Sequence, residues 1–228
     1  MIKIGKEIKD NIKLNAFYVI VVVFTVTVTA LLLLYNTSPS SFDYRIFAQE
    51  EDNKTDADTT TIINTGNLTN SNTTLIHFVS NIEQIIGHIE QAKSNKQAGN
   101  NTLVLAHTLH PIEEIYSSIE GQLSNANSAL NQTLSSNLNQ LSQTAVNSTV
   151  DQFNIQAQKV NGLLNQTIEK VVPVKNRNNS TFNLIVVADL LPIAESEYKE
   201  AVENGTVKEI VEYQDAQGFV SRAQSVFE

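Results

Sequence analysis

The feature that most constrains this chain is an uncharged apolar run near its N-terminus. Residues 16–34 read AFYVIVVVFTVTVTALLLL and include no charged side chain. A helix of nineteen residues is about 29 Å long, close to the thickness of the hydrocarbon core of a bilayer. Because lipid offers no partners to backbone amides, we expect this run to be helical despite its β-branched residues. The sequence therefore predicts a transmembrane helix over residues 16–35.

The distribution of lysines around this run predicts its orientation. Four lysines lie within residues 1–15, and no Lys or Arg follows the run until Arg45. By the positive-inside rule, residues 1–15 form a cytoplasmic tail and the rest of the chain lies outside the cell membrane. The alternative is a signal peptide cleaved after Ala48, but signal peptides have shorter apolar cores. An uncleaved single-pass signal-anchor is the preferred interpretation, and both place the remaining chain outside.

Composition restricts the chemistry of the exported part. The chain has a net charge of −9, and residues 1–35 hold four of its fifteen basic residues but only two of its twenty-four acidic ones. The remainder therefore carries −11, which disfavours binding to nucleic acid and favours attraction of cations. The chain has no cysteine. This excludes disulfides, thiolate metal ligands and a thiol nucleophile.

Residues 36–73 are polar and show almost no apolar periodicity, so we predict a disordered stalk. Asn-x-Ser/Thr sequons occur eleven times, all after the apolar run. A composition rich in Asn and Thr produces some of these by chance. Together with the lack of cysteine, they favour a glycosylated surface protein of archaeal type.

Residues 74–228 show helical periodicity. Apolar residues recur at intervals of three and four from Leu75 to Ala92, and similar patterns continue to the C-terminus. Pro111 and Pro192 fall inside helical patterns, where a proline removes one backbone hydrogen bond, so we expect two kinked helices. No alternating strand pattern is present. The predicted fold is all-α, an extracellular bundle of four to six helices.

All four histidines fall within 34 residues, and this clustering suggests a metal site. His77 and His88 are about three turns apart on one helical face, and His107 and His110 precede two glutamates. Imidazole and carboxylate together suit Fe, Cu, Zn or Mn. The alternative is that these histidines are capping or partly exposed residues beside the proline kink. The candidate metal ligands are His77, His88, His107, His110, Glu113 and Glu114.

No catalytic motif is apparent, so we expect a protein that is not an enzyme. The sequence lacks Gly-x-Ser-x-Gly, His-Glu-x-x-His and a glycine-rich phosphate loop. Groups of acidic residues such as Glu195/Glu197 and Glu209/Glu212/Asp215 are expected to lie on solvated helix faces rather than to form acid–base dyads.

The C-terminal segment resembles a known family. The pattern Tyr198-x-x-Ala201-Val202-x-x-Gly205-x-Val207, followed by Glu212-Tyr213-x-Asp215 and Phe219, is similar to a helical hairpin in the extracytoplasmic part of high-affinity iron permeases. This resemblance implies an extracytoplasmic helical domain associated with metal uptake. The chain lacks the Arg-Glu-x-x-Glu motif of the permeases. It is therefore not expected to be the transporter itself, and Glu212, Tyr213 and Asp215 would steady the hairpin.

These observations favour a membrane-anchored extracellular binding protein with a metal ion as the candidate ligand, in an ion-uptake context. The alternatives are a structural or adhesive surface protein, and an accessory or sensor subunit that packs on another membrane protein. The expected partners are the lipid bilayer, through residues 16–35, and another membrane protein. Nucleic acid is not an expected partner.

Overall fold

The computed structural model describes residues 65–228. The predicted cytoplasmic tail (1–15), the predicted transmembrane helix (16–35) and most of the predicted stalk (36–73) lie outside the described residues. Within residues 65–228, no helix has the length and apolarity needed to cross a bilayer. The first described helix begins at Thr65, inside the segment that composition predicts as stalk.

The described residues confirm an all-α bundle. The helices are α1 (Thr65–Gln97), α2 (Asn101–His110), α3 (Tyr116–Thr144), α4 (Val150–Val171), α5 (Val174–Arg177), α6 (Ser180–Ala201) and α7 (Ile210–Phe227). A π-helical turn, Pro111–Ile115, joins α2 to α3. Two short strands, β1 (Val202–Glu203) and β2 (Thr206–Val207), join α6 to α7.

The long helix α1 is the centre of the bundle. It packs against α2, α4, α6 and α7, while α3 pairs with α4 and α6 pairs with α7. Its apolar residues at intervals of three and four, Phe78, Ile82, Ile85 and Ile89, are almost completely buried. Burying one such side chain stabilises the fold by about 1.5–3 kcal/mol. The periodicity seen in the sequence therefore corresponds to the face that α1 presents to its neighbours.

The irregularity expected near His110 takes the form of the π-helical turn. Asn100 caps α2 by accepting a hydrogen bond from the Leu103 amide, and the helix runs to His110. Pro111 then begins a single π-helical turn, in which the Tyr116 N–H donates to the carbonyl oxygen of Pro111, five residues earlier. This turn accommodates Pro111, which has no N–H of its own to donate. By contrast, α6 runs without interruption across the exposed Pro192.

Residues 116–171 form two helices, α3 and α4, rather than one. Within α3 the backbone of Asn127 leaves the helical region, at φ −162 and ψ 91, and its side chain accepts a hydrogen bond from the Leu130 amide. Asn127 therefore restarts α3 as an N-cap would. Thr149 opens α4 with a capping box, in which it exchanges hydrogen bonds with Gln152.

The expectation of no strand was wrong at one point. Val202 pairs with Val207 and Glu203 pairs with Thr206 in an antiparallel ladder. The two turn residues, Asn204 and Gly205, have φ values of 52 and 73, as a two-residue type I′ turn requires. Two residues per strand are too few to produce an alternating pattern, so only the Asn-Gly pair signals this hairpin.

A buried ion pair ties α7 to α1. The Glu83 side chain is 7% exposed, its Oε2 accepts a hydrogen bond from Nε of Arg222 at 2.8 Å, and Nη2 of Arg222 forms an ion pair with the same oxygen at 2.8 Å. Burial raises the pKa of Glu83 above 4.5, and the charge and hydrogen bonds of Arg222 partly offset that increase. The guanidinium therefore compensates a carboxylate that would otherwise be costly to bury.

Replacing Arg222 by glutamine is expected to lower the free energy of unfolding by about 2 kcal/mol at pH 7, because Glu83 loses its partner. Since the folded-state pKa of Glu83 is raised, its contribution to stability is present below pH 4.5 and is lost as pH rises. Removing Arg222 raises that pKa further, so the loss should shrink at pH 4. Urea unfolding at both pH values measures this. Lys199→Gln, in an exposed pair with Glu195, is the control and should change little. A loss independent of pH would contradict the account.

Candidate metal centre

Three of the four histidines converge on one aspartate in the bundle. His88 comes from α1, His107 and His110 come from the end of α2, and Asp215 comes from the second turn of α7. The side chains of His88, His107 and Asp215 are at most 3% exposed, and that of His110 is 18% exposed. The cluster is therefore a group of buried polar side chains surrounded by the apolar core, and it reaches solvent only at His110.

The two carboxylate oxygens of Asp215 face different histidines. Oδ1 lies 2.7 Å from Nδ1 of His88 and 2.9 Å from Nδ1 of His107. Oδ2 lies 3.2 Å from Nδ1 of His110. The ring of His88 also meets the ring of Phe219 edge-on, with centroids 5.1 Å apart. Each imidazole thus presents the same nitrogen to the shared carboxylate.

A close contact between two glycines brings α1 and α7 together at this point. A Cβ atom added to Gly218 would lie 3.0 Å from the carbonyl oxygen of Gly87, and one added to Gly87 would lie 3.0 Å from the Phe219 ring. Only residues without a side chain allow the backbones this close. Gly87 immediately precedes His88, and Gly218 is three residues after Asp215, so this contact positions both site residues.

Burial and hydrogen bonding act in opposite directions on Asp215. Burial raises the pKa of its carboxyl, but hydrogen bonds from His107 and His110, together with the close approach of His88, outweigh burial and hold that pKa below 3.8. The hydrogen bond to Asp215 raises the pKa of His110 to about 9, although burial opposes this, and the charges of Asp215, Glu114 and Glu212 add to the increase. The metal-free cluster at neutral pH therefore contains an aspartate anion and a cationic His110.

The hydrogen bonds of His107 suggest a metal ligand. Its Nε2 lies 2.7 Å from Oε1 of Gln214, and Nδ2 of Asn95 donates to that same oxygen at 2.7 Å, which fixes the orientation of the Gln214 amide. His107 therefore donates from Nε2. When it does so as a neutral ring, its Nδ1 lone pair faces Oδ1 of Asp215 at 2.9 Å. Two lone pairs at that distance repel unless a proton or a metal cation lies with them.

His88 contributes a buried nitrogen without a hydrogen-bond partner among the described residues. Its Nδ1 is 2.7 Å from Oδ1 of Asp215, yet the N–H direction is unsuitable for a hydrogen bond. The separation is short while the geometry is poor, so we assign this contact to proximity rather than to a directed bond. A cation bound beside the carboxylate would satisfy this nitrogen.

A second group of ligand atoms adjoins the first. His110, Glu212 and Asp215 offer atoms that all lie within 4.8 Å of one another, as do His88, His107 and Asp215. Glu212 also shares a hydrogen bond with Glu197 of α6, and burial together with this contact raises the pKa of Glu197 to about 8. The half-exposed edge of the cluster is thus rich in carboxyl groups.

The structure brings together three of the six predicted ligands. His88, His107 and His110 meet at Asp215. His77 does not join them, because it lies about 16 Å before His88 along α1. Its exposed ring instead meets Asp189 of α6 at 3.0 Å. Glu113 and Glu114 are exposed on the π-helical turn, and the nearest approach of Glu114 to His110 is 4.0 Å. Both glutamates therefore face solvent rather than the buried carboxylate of Asp215.

Sequence reasoning did not assign Asp215 and Glu212 to the metal site. Both were expected on a solvated helix face or as polar groups within the C-terminal hairpin, whereas Asp215 is 1% exposed and contacts three histidines. Their separation from the histidines by more than a hundred residues hides the contact from any local pattern. The available signal was the resemblance over residues 198–219, which includes both carboxylates.

The residues present fit a first-row transition metal. Two buried imidazole nitrogens and a carboxylate oxygen form a mixed N/O donor set, which is typical of Fe, Mn, Zn and Cu sites. Nδ1 of His88 and Nδ1 of His107 lie 2.7 and 2.9 Å from Oδ1 of Asp215. Metal–ligand bonds of about 2.0–2.2 Å at angles near 90° place ligand atoms about 3 Å apart, so small adjustments would suffice.

Comparison with known proteins supports the C-terminal resemblance. Residues 173–228 match the iron permease-associated 4-helix bundle domain. The match covers about a quarter of the chain and includes Asp215, Glu212 and Glu197 but none of the histidines. No curated protein and no solved structure is significantly similar to the chain. The iron permease-associated match fits an ion-uptake context and a setting among membrane proteins.

Proposed function

We propose that this protein binds a divalent first-row transition metal ion at the cluster formed by His88, His107, His110 and Asp215. The hydrogen bond from Nε2 of His107 to Gln214 carries the proposal. Histidines that ligate metals commonly donate their second ring nitrogen to a carbonyl or carboxylate, which fixes the tautomer and aims the other nitrogen at the ion. Here Nδ1 is aimed at a carboxylate oxygen and at the unpartnered nitrogen of His88.

Iron is the metal that the comparison favours. The matching family is described as iron permease-associated, and the match contains the aspartate at the centre of the cluster. Ferrous iron accepts mixed imidazole and carboxylate ligands. We propose that the protein holds iron for uptake by a separate membrane protein, and that it acts by binding rather than by catalysis. The acidic charge of the exported part would attract cations to this domain.

The proposed location follows from the sequence. The apolar run at 16–35 would anchor the protein in the lipid bilayer with residues 1–15 in the cytoplasm, and the bundle would lie outside the cell. In that position a metal site with one edge near solvent can receive ions before they reach a transporter. The transporter is the expected protein partner.

Metal-dependent thermal stability tests the proposal. Full-length protein in detergent, freed of metal, should unfold at a higher temperature with Fe²⁺ supplied anaerobically. A ligand at 100 times its dissociation constant adds about 2.7 kcal/mol of stability, or several degrees for a chain of this size. The increase should disappear in a His107→Ala, His110→Ala double variant.

His77→Ala is the matched control, because His77 is an exposed histidine paired with a different aspartate. It should retain the full metal-dependent increase. Parallel titrations with Mn²⁺, Zn²⁺ and Cu²⁺ establish which ion is preferred. If none of these ions raises the unfolding temperature, the proposal is wrong. The cluster is then a structural network held by hydrogen bonds and ion pairs between the histidines and Asp215.

A further inference from the structure

We propose that Asp215 bridges two divalent metal ions, one bound by His88 and His107 and the other by His110 and Glu212. This inference rests on the proposed metal-binding function and deepens it, since it states how many ions the site holds and how they are connected. It concerns a pair of ions such as Fe²⁺ or Mn²⁺, which accept mixed nitrogen and oxygen ligands.

The first observation is that the two oxygens of the Asp215 carboxylate face different histidines. The two imidazoles that approach Oδ1 come from His88 and His107, at 2.7 and 2.9 Å, and both are buried. The imidazole that approaches Oδ2 is His110, at 3.2 Å. A carboxylate whose two oxygens face separate donor sets is suited to bridging.

The second observation is that the potential metal ligands around Asp215 form two groups of three atoms. His88, His107 and Asp215 form one group of three potential ligand atoms, and His110, Glu212 and Asp215 form the other. The histidines of the first group face Oδ1 and that of the second faces Oδ2. Within each group the atoms lie within 4.8 Å of one another. Glu197 contacts Glu212 from α6 and provides a further carboxylate on the Oδ2 side. Asp215 is the only residue common to both groups.

The third observation is the difference between the two sides in burial and donor type. The Oδ1 side is fully buried and has two nitrogens and one oxygen, whereas the Oδ2 side is partly exposed and richer in oxygen. Carboxylate-bridged pairs of ions lie about 3.5–4 Å apart. That spacing matches ions on opposite oxygens of one carboxyl group. The partly exposed position would fill first and empty first, because it is nearer to solvent.

Metal stoichiometry tests the bridge. Full-length protein in detergent is dialysed anaerobically against Mn²⁺, and bound metal is counted per chain. The wild-type chain should bind two ions, Glu212→Gln and His110→Asn should each bind one, and Asp215→Asn should lose at least 100-fold in affinity for both. Glu114→Gln is the matched control, since Glu114 is an exposed glutamate near His110 that belongs to neither group, and it should still bind two.

Electron paramagnetic resonance of the Mn²⁺-loaded protein tests whether the ions are connected. Two ions on one carboxylate should give an exchange-coupled signal, and Glu212→Gln should convert it to that of an isolated ion. Circular dichroism of each variant verifies folding. One ion per chain that is unaffected by Glu212→Gln, or two uncoupled ions, would overturn the bridge but leave single-ion binding intact. No bound metal in the wild-type chain would instead overturn the proposed function.

Discussion

Replacing Gly218 by valine should lower the free energy of unfolding by about 3 kcal/mol and greatly weaken metal binding. A Cβ atom at this position would meet the carbonyl oxygen of Gly87 at 3.0 Å and its carbonyl carbon at 3.2 Å. These are backbone atoms, so the clash cannot be relieved by a side-chain rotation, and α1 must move away from α7. Overpacking of this kind typically costs about 1–3 kcal/mol, and the branched side chain adds to the clash.

Metal binding should weaken because the two glycines lie close to the metal ligands in the sequence. His88 is next to Gly87, and Asp215 is three residues before Gly218, so separating the two helices moves the ligands of the site apart. Urea unfolding measures the stability, and anaerobic Fe²⁺ titration measures the affinity. Retention of wild-type affinity by Gly218→Val would show that the glycine contact does not position the site.

Gly121→Ala is the control for this prediction. Gly121 is exposed inside α3, and a Cβ atom added there would have no neighbour within 4 Å. Since glycine weakens a helix interior by about 0.5–1 kcal/mol relative to alanine, this variant should be more stable than the wild-type protein. Glycine substitutions at the two positions are thus expected to have opposite signs.

Replacing Asp215 by asparagine should lower the free energy of unfolding of the metal-free protein by about 3 kcal/mol near pH 6. Asparagine has nearly the same shape, but it cannot balance the charge of His110, and removing one partner of a buried pair typically costs about 3–5 kcal/mol. Asp189→Asn is the matched control. It makes the same change opposite His77, in a more exposed pair, and should cost less than about 1 kcal/mol.

The pH dependence of this loss separates an electrostatic effect from a packing effect. The pKa of Asp215 is lowered, so its contribution is present above pH 3.8 and is lost as pH falls. The pKa of His110 is raised to about 9, so its contribution is present below about pH 6.5 and is lost as pH rises through 9. The difference between wild type and Asp215→Asn should therefore be largest between pH 4 and 6.5. A difference that is constant with pH would contradict the charge assignment.

Much of the bundle was predictable because helical periodicity is a local property. The apolar intervals along residues 75–92 correspond to the buried face of α1, and Pro111 marked the junction where α2 gives way to a π-helical turn. The two-residue strands were missed, since so short a ladder depends on the turn geometry at Asn204 and Gly205 rather than on an alternating pattern. Propensity and period therefore predicted the helices but not this connection.

The three histidines of the candidate site could be predicted from the sequence, whereas its carboxylates could not. His88, His107 and His110 are close in sequence, so their clustering was visible. Asp215 reaches them only because the hairpin of α6 and α7 packs back onto α1 and because two glycines permit close approach. Glu113 and Glu114 were plausible ligands by spacing alone, but spacing does not show which residues are buried, and both are exposed on the π-helical turn.

X-ray absorption spectroscopy at the iron edge of the Fe²⁺-loaded full-length protein would test directly whether iron binds at the histidine–Asp215 cluster. If iron binds at Asp215, the spectrum should show nitrogen and oxygen ligands at about 2.0–2.2 Å, with outer-shell scattering from imidazole rings that is greatly reduced in the His107→Ala, His110→Ala double variant and retained in His77→Ala. A shell of oxygen ligands alone, without imidazole scattering, would show that iron binds to surface carboxylates and not to the cluster at Asp215, and would contradict the account.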